Sequence, residues 1–341
     1  MMKSLLRNKL TTKLIILMPS NPMLRYLIGN YNYFKILSAK ALKNVCDKYP
    51  RENIVYSEQK TIISVFDGEV INPGLADCLK GICSLFYWCK LCNYEFKISF
   101  HHPFNLQDYL IPNEYNWTVS EGEIYKNSTP KSLISYKFIF GDADNKKNHL
   151  KFLSELKNIK DKNLCIYSNT DCYEENFHNC YHELFKPSEA LNNEIERNLQ
   201  NIGGDYISVS FRFTQLLGDI KDTYGEELAK DEKSSLIEKC IESIPLILSE
   251  NAQIKKVLVT SDSQTFLDEA AKLSYVYILS GTVNHIAQNA SEESILRTFL
   301  DMYMISHAKK AYMVRTPIMY KSGFALFGSR IGGVPFEERV I

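Results

Sequence analysis

The chain has 341 residues, and its 40 Lys and Arg residues balance its 40 Asp and Glu residues, so the formal net charge is zero. Hydrophobic residues make up 45 % and charged residues 23 %, which is typical of a globular protein and excludes a disordered or collagen-like chain. The neutral charge gives no support for a nucleic-acid partner, because such binding depends largely on neutralising phosphates. The length predicts about two domains.

Short β-branched or aromatic runs alternate with longer amphipathic runs along the chain. In the first half we predict strands at 61–66, 96–100, 135–140 and 163–168, and helices at 78–92 and 147–160. In the second half we predict strands at 206–211, 256–260, 275–279 and 311–314, and helices at 232–250, 264–273, 291–307 and 321–331. This alternation predicts parallel sheets with crossover helices.

The two series of elements predict two doubly wound α/β domains that face each other. The stretch Pro187–Gly204 is polar and ends in two glycines, so we place the boundary there, with domains at 1–195 and 196–341. Ligands of an open α/β sheet bind outside the carboxyl ends of its strands. The loops after the strands are therefore where we expect the functional residues.

The nine cysteines are scattered, and only Cys89 and Cys92 have C-x-x-C spacing. Because they continue an apolar helical stripe, we interpret them as buried thiols of a reducing compartment, with zinc or redox chemistry as the alternative. The apolar run Leu14–Met18 is too short for a signal peptide or a membrane span. We expect a cytoplasmic protein, in which residues 1–30 are a candidate segment for contact with a membrane surface or a partner.

The loop before the first predicted helix contains Gly74 and Asp77. Backbone N–H groups at a helix N-terminus favour an anion. Asp77 is also a suitable N-cap for a helix that begins at Cys78. An anion-binding turn and a plain helix cap both stay open.

Arg212 follows a predicted strand that should be fully buried, so its charge requires a partner. The forked guanidinium suits a diphosphate, which it can bind in a bidentate manner. An ion pair with a carboxylate inside the fold is the alternative, and the residues alone do not decide between the two.

Two further strand ends carry polar residues. Ser261 and Asp262 are candidates for binding a ribose, a guanine edge or a sugar, although either is also a suitable helix cap. Arg315 ends another strand, and Ser322-Gly323 follows it at the start of a helix. A glycine lets the backbone approach a phosphate closely, and the helix N-terminus supplies positive potential.

Four segments together resemble the GDP-fucose-dependent fucosyltransferases of the protein O-fucosyltransferase, α-1,6-fucosyltransferase and rhizobial nodulation type. The run from Gly74 to Ile82 resembles the family's G-L-[GA]-[ND]-R-L-R-x-[IL] element, and Ser210-Phe211-Arg212 resembles its H-x-R motif. The run from Val257 to Asp262 resembles its strand that ends in T-D. Ser322-Gly323-Phe324 resembles the S-x-F-S segment, which follows a D-x-x-x-[ML]-S helix, here Asp301 to Ser306.

The resemblance implies a GT-B fold, which consists of two Rossmann-like domains with the active cleft between them. It also implies that the C-terminal half binds a GDP-sugar and that the N-terminal half mostly binds the acceptor. Ser210 stands where the family has His, and Cys78 and Lys80 stand where it has Arg. The implied donor-binding residues are Gly74, Asp77, Lys80, Ser210, Arg212, Ser261, Asp262, Arg315, Lys321, Ser322, Gly323 and Phe324.

The resemblance further implies an inverting, metal-independent transfer of a sugar, fucose in this family, from the GDP-sugar to a glycan hydroxyl. Arg212 and the N–H groups near Ser322 to Phe324 would stabilise the departing diphosphate. Asp219 is the first candidate for the base, followed by Asp222 and Glu226. The expected setting is the synthesis of a bacterial surface polysaccharide.

Two other functions stay open. One is a nucleotide-sugar-binding or scaffold protein without turnover. The other is a metal-dependent transferase that uses Asp142 and Asp144, which form a D-x-D sequence after a predicted strand. His101 and His102 follow another strand and are weaker candidates for lining an acceptor site.

Overall fold

The computed structural model describes residues 60–68, 74–119, 134–136, 163–168, 174–220, 226–281, 283 and 290–341. The described chain is a mixed α/β protein whose two larger sheets are parallel. Among the described residues, no helix is both long and apolar enough to cross a membrane.

The first half builds a four-stranded parallel sheet in the order β2-β1-β5-β4 and a small antiparallel pair, β3-β6. Its elements are β1 (Thr61–Phe66), α1 (Leu75–Cys92), β2 (Glu95–Phe100), β3 (Leu110–Pro112), β4 (Ile134–Tyr136), β5 (Asn163–Ser168), α2 (Glu174–Leu184), β6 (Phe185–Pro187) and α3 (Glu189–Ile202). All six residues of β1 are buried, as expected for an inner parallel strand that is covered on both faces.

The second half builds a five-stranded parallel sheet in the order β11-β10-β7-β8-β9. Its elements are β7 (Tyr206–Phe211), α4 (Lys230–Ser249), β8 (Lys256–Ser261), α5 (Gln264–Ala270), β9 (Val276–Tyr277), α6 (Glu292–Ser306), β10 (Ala311–Arg315), α7 (Phe324–Gly332) and β11 (Phe336–Val340). The chain proceeds from β7 to β8 and β9, then returns to the other side of β7 with β10. The direction of winding therefore reverses between β7 and β10.

Different helices cover the two faces of this sheet. Ile207, Val209 and Phe211 of β7 share one hydrophobic cluster with α4 and α5. Tyr206 and Leu258 belong to a second cluster, which contains α3, α6 and α7. The side chains of β7 and β8 thus alternate between two different helical layers.

The second cluster also contains α1, α2 and the strands of the first sheet, so the two halves share one continuous core. The Phe177 and Phe327 rings, on α2 and α7, lie 5.0 Å apart. Tyr109 stacks on Phe299 of α6 at 4.8 Å. The predicted boundary between residues 195 and 196 falls inside α3, and the division into two domains stays a prediction.

Close packing fixes the position of α7. A Cβ atom on Gly332 would lie 1.8 Å from the carbonyl oxygen of Ser306, so α6 and α7 approach too closely there for any side chain. At the same end of α7, His178 and His182 of α2 form hydrogen bonds with the carbonyl of Ile331 at 3.0 Å and 2.7 Å. Because these contacts hold the C-terminal end of α7 against α2 and α6, they also set the position of its N-terminal end.

Several expectations from the sequence differ from the structure. The polar stretch Pro187–Gly204, for which no helix was predicted, is mostly helix α3. The first helix begins at Leu75 instead of Cys78, and strand β11 was not expected. The predicted helix at 147–160 lies outside the described residues.

Candidate functional site

The reversal point between β7 and β10 is where a doubly wound sheet opens a crevice for a ligand. Val314 of β10 pairs with Phe211 of β7, so the next residues, Arg315 and Arg212, are level at the carboxyl edge. Asp262 follows β8 at the same edge, since Phe211 pairs with Ser261. Three of the predicted site residues are thus brought to one edge of one sheet.

Arg212 makes an ion pair with Asp262, with Nη1 3.1 Å from Oδ2. The internal carboxylate partner that the sequence left open is therefore present. The Arg212 side chain is still 19 % exposed, whereas that of Asp262 is 5 % exposed. The Arg212 side chain is thus held by Asp262 and remains partly accessible to solvent.

Asp262 also accepts two backbone hydrogen bonds. The N–H groups of Phe213 and Thr214 donate to its Oδ1 and Oδ2, both at 2.8 Å. Burial raises the pKa of the Asp262 carboxyl, and the nearby Arg212 charge opposes that shift. Both carboxylate oxygens are engaged with the loop after β7.

Two other predicted residues beside this pair are bonded within the protein. Ser210 lies one residue before the end of β7, and its hydroxyl is 2.7 Å from that of Thr260 on β8. The Ser261 hydroxyl accepts a hydrogen bond from the N–H of Ser263 at 3.1 Å. Ser210 is thus engaged with the neighbouring strand β8.

Asp219 contacts the start of α5. Its carboxylate accepts hydrogen bonds from the hydroxyl of Ser263 and from the hydroxyl of Thr265, the latter at 2.7 Å. The N–H of Thr265 donates to the same carboxylate at 3.3 Å. These contacts make Asp219 a cap of α5, and its role as a general base stays a prediction. Of the other two base candidates, Glu226 is exposed and Asp222 lies outside the described residues.

The loop between β10 and α7 contains the predicted phosphate-binding residues. Gly323 is the N-cap of α7 and makes no side-chain cap hydrogen bond. The N–H of Phe324 donates to the Ser322 hydroxyl at 3.2 Å. Because α7 connects β10 to the parallel strand β11, its N-terminus lies toward the carboxyl edge of β10.

Arg315, at the end of β10, and Lys321, in this loop, are both paired with a glutamate of β11. Arg315 Nε and Lys321 Nζ lie 2.7 Å and 2.6 Å from the two oxygens of Glu338. Hydrogen bonds from Lys321 and Arg315 lower the pKa of Glu338. The three side chains form a cluster with one net positive charge beside the α7 N-terminus.

The N-terminal candidates lie at the start of α1. Gly74, not Asp77, is the N-cap, so the predicted capping role of Asp77 is wrong. Asp77 instead lies in the first turn and pairs with Lys80 at 2.6 Å. The Lys80 ammonium is 5.7 Å from the ring centroid of Phe327, so the first turns of α1 approach those of α7.

Arg297 and Asp301 of α6 were not among the predicted site residues. Both are at least nine-tenths buried, and Arg297 Nε donates to Asp301 Oδ2 at 3.2 Å. Arg297 Nη1 also donates to the carbonyls of residues 279 to 281, just beyond β9. Within the described chain, two atoms of this pair, Arg297 Nη2 and Asp301 Oδ1, make no hydrogen bond. The Tyr206 hydroxyl, at the start of β7, donates to the carbonyl of Met304 at 2.6 Å. Because α6 returns antiparallel to β7, Arg297 and Asp301 lie toward the carboxyl edge.

An unpaired buried donor beside an unpaired buried acceptor is rare in proteins and calls for a partner. The spacing of Arg297 and Asp301 on one helical face was visible in the sequence, since residues four apart are neighbours. Their burial was not visible, because it depends on where α6 packs.

The remaining candidates contribute less to this edge. Asp142 and Asp144 lie outside the described residues, and no group of three metal-ligating side chains occurs in the part of the chain that the structure describes. His102 packs against Gly68 after β1, in the first sheet.

The fold is similar to those of solved fucosyltransferases. The NodZ α-1,6-fucosyltransferase soaked with GDP-fucose matches with a TM-score of 0.53 and 13 % identity, over 82 % of this chain and 95 % of that chain. A mutant of FUT1 from Arabidopsis thaliana in complex with GDP matches with a TM-score of 0.53 and 13 % identity, over 92 % of this chain and 79 % of that chain. Fucosyltransferase NodZ from Bradyrhizobium matches with a TM-score of 0.51 and 12 % identity, over 80 % of this chain and 92 % of that chain.

The predicted resemblance to GDP-fucose-dependent fucosyltransferases is thus confirmed at the level of the fold. No protein-family model matches the sequence, and no curated protein matches it significantly. The likeness lies in the arrangement of strands and helices, so the function has to be argued from this chain's own residues.

Proposed function

We propose that this protein is a glycosyltransferase that moves fucose from GDP-fucose to a hydroxyl group of a glycan. The observation that carries the proposal is the position of Arg212 at the carboxyl end of β7, next to the strand β10 that leads to the N-terminus of α7, at the reversal point of the second sheet. Such a crevice suits a nucleotide, and both groups favour the negative charge of a diphosphate. The similarity of fold to proteins solved with GDP-fucose and with GDP supports the same donor.

In the proposed reaction, the oxygen of the acceptor hydroxyl attacks C1 of the sugar from the face opposite the diphosphate. The bond between C1 and the β-phosphate oxygen breaks, GDP leaves with the bonding electrons, and the acceptor proton passes to a base. Arg212 and the backbone N–H groups at the start of α7 stabilise the charge that develops on the departing diphosphate. These groups supply that stabilisation without a metal ion, and Asp219 is the base that the sequence favours.

Arg297 and Asp301 are the groups we assign to the nucleotide base. A guanine edge offers an oxygen acceptor beside N–H donors, and these complement the unpaired Arg297 Nη2 and Asp301 Oδ1. Both groups are buried, so leaving either one without a partner is unfavourable. This complementarity supports a guanine nucleotide as the donor.

The first half is the proposed acceptor side of a GT-B cleft. The approach of Lys80 to Phe327 brings α1 beside α7, which supports a contribution of Gly74, Asp77 and Lys80 to the edge of the donor site. The acceptor we propose is a glycan of a bacterial surface polysaccharide.

A nucleotide panel tests the proposal. The melting temperature is measured with GDP, UDP, CMP and their sugars, and GDP release from GDP-fucose is followed with candidate glycan acceptors. We expect a selective shift with GDP and GDP-fucose, and release that depends on the acceptor and persists in EDTA. A shift with UDP or CMP alone would contradict the donor assignment, and loss of release in EDTA would favour the metal-dependent reaction of Asp142 and Asp144.

Gly323→Ala tests the phosphate site without disturbing the fold. A Cβ atom at this position would lie 3.5 Å from the Phe327 ring, which is ordinary contact. We expect an unchanged melting temperature and weaker binding of GDP, because the methyl group obstructs close approach of a phosphate. Ser329→Ala, later in α7 and away from its N-terminus, is the control and should bind GDP as the wild type does. Unchanged GDP binding by Gly323→Ala would remove the α7 N-terminus from the site.

A second candidate is a nucleotide-sugar-binding protein without turnover. The engagement of Asp219 with α5 favours it, because that carboxylate is already occupied by hydrogen bonds. Such a protein would show the GDP-dependent thermal shift but would release no GDP with any acceptor.

A further inference from the structure

Asp262 contacts three consecutive residues of the loop after β7, although it lies at the end of β8. Its Oδ1 accepts from the N–H of Phe213, and its Oδ2 contacts both the N–H of Thr214 and the guanidinium of Arg212. We propose that Asp262 is a positioning residue, which holds Arg212 toward the crevice and does not itself bind the donor. This inference rests on the proposed role of Arg212 at the diphosphate.

The conformation of the loop explains why such an anchor is required. Thr214 has a φ angle of 54°, which is unfavourable for a β-branched residue. The backbone turns there, two residues after Arg212, and the N–H groups of residues 213 and 214 both donate to Asp262. One carboxylate therefore stabilises the turn and the orientation of the guanidinium together.

The location of Asp262 argues against direct contact with a ligand. The residue is 6 % exposed, and each of its oxygens already accepts a backbone hydrogen bond. A second carboxylate, Asp219, fastens the other end of the same segment to Ser263 and Thr265. Residues 212 to 219 are thus attached at both ends to the segment that follows β8.

A double-mutant cycle with GDP binding as the readout tests the proposal. The variants are Arg212→Ala, Asp262→Asn and the double variant, and Asn is chosen because it keeps the size of the side chain. We expect Arg212→Ala to weaken GDP binding about 100-fold and Asp262→Asn to weaken it about 10-fold. The double variant should match Arg212→Ala to within about twofold, because a residue that acts only through Arg212 has no effect in its absence.

The control is Asp268→Asn, which removes an exposed carboxylate from α5, close to the same segment. It should bind GDP as the wild type does. If the losses of the two single variants multiply in the double variant, Asp262 contacts the donor itself and the inference is wrong. Unchanged GDP binding by Asp262→Asn would overturn it as well.

Amide hydrogen exchange provides a measurement that does not depend on GDP. Exchange at Phe213 and Thr214 should be faster in Asp262→Asn than in the wild type, while exchange in β7 stays unchanged. Equal exchange at these two amides would contradict the anchoring role. A wild-type protein that binds no GDP, yet shows this faster exchange in the variant, would refute the proposed function and leave the anchor itself in place.

Discussion

The two faces of the second sheet differ in how many polar side chains they carry. On the face covered by α4 and α5, the side chains of β7 and β8 are apolar up to the carboxyl edge, where Phe211 meets Phe213 and Phe266. On the face covered by α6 and α7, Ser208 and Ser210 alternate with those residues along β7, and Arg212 follows them. The same strand therefore builds a core on one side, whereas on the other side it is apolar at Tyr206 and forms a polar wall from Ser208 to Arg212.

The helix opposite the polar wall is also polar at the same level. Arg297 and Asp301 are buried on α6, although burial of unpaired polar groups lowers stability. Alternation in a strand explains how one sequence serves both faces, and the function proposed above assigns the polar groups of the second face to the donor. The proposed function thus assigns stability to the first face and binding to the second.

The largest effect is expected on the apolar face. Phe266→Ala removes a ring that lies 4.6 Å from Phe211 and 4.9 Å from Phe213, centroid to centroid. We expect the free energy of unfolding to fall by about 3–5 kcal/mol, measured in urea, because the cavity cannot close fully. GDP affinity of the folded protein should stay at the wild-type value. A parallel loss of GDP affinity would show that the two faces are not separate.

On the polar face, we expect a substitution to weaken GDP binding. Asp301→Asn should weaken GDP binding about 10–100-fold, measured by calorimetry, because a charged acceptor for the base is lost. Glu293→Gln, an exposed carboxylate on the same helix, is the control and should bind GDP normally. Wild-type affinity in Asp301→Asn would exclude this carboxylate from the nucleotide site.

The strands of the second sheet could be predicted because buried parallel strands are short apolar runs. The run at 206–211 was predicted and is β7, and its carboxyl end correctly located Arg212. Helix α3 was missed because its composition is polar, although Leu191, Ile195 and Ile202 have helical spacing and Ser188 is a suitable cap. Strand β11 was missed because an edge strand such as Phe336–Val340 contains charged residues in place of apolar ones.

The pairings within the site could not be predicted, because they depend on which strands become neighbours. Arg315 and Lys321 were expected to contact the donor, but their partner Glu338 lies on the strand that the sequence did not reveal. Asp262 was recognised as a polar residue at a strand end, and Asp219 as a candidate for the base. Their contacts with residues 213, 214 and 265 follow only from the path of the loop after β7.

A smaller effect is expected at the border between the two faces, where Asp219 caps α5. Asp219→Ala should lower the free energy of unfolding by about 1 kcal/mol, because it removes the acceptor of the hydrogen bonds from Ser263 and Thr265. Because hydrogen bonds engage both its oxygens, we expect sugar transfer to fall by less than the roughly 100-fold loss that follows removal of a general base. Asp268→Asn on the same helix is the control for stability. A loss of transfer above 100-fold, with GDP binding intact, would identify Asp219 as the base.

The smallest expected effect is a pH dependence of the unfolding free energy that arises from a carboxyl group on the polar face. Burial raises the pKa of the Asp301 carboxyl, and Arg297 opposes the shift without cancelling it. Between the unfolded and the raised folded pKa, the native state binds more protons at this site than the unfolded state, so its contribution to stability falls as pH rises through that interval. The unfolding free energy of the wild type minus that of Asp301→Asn should therefore increase as pH is lowered from neutrality through the raised pKa. The unfolding free energy of the wild type minus that of Asp268→Asn, whose carboxylate is exposed, should not increase in this way. If the difference for Asp301→Asn does not change with pH, the Asp301 carboxyl is not desolvated.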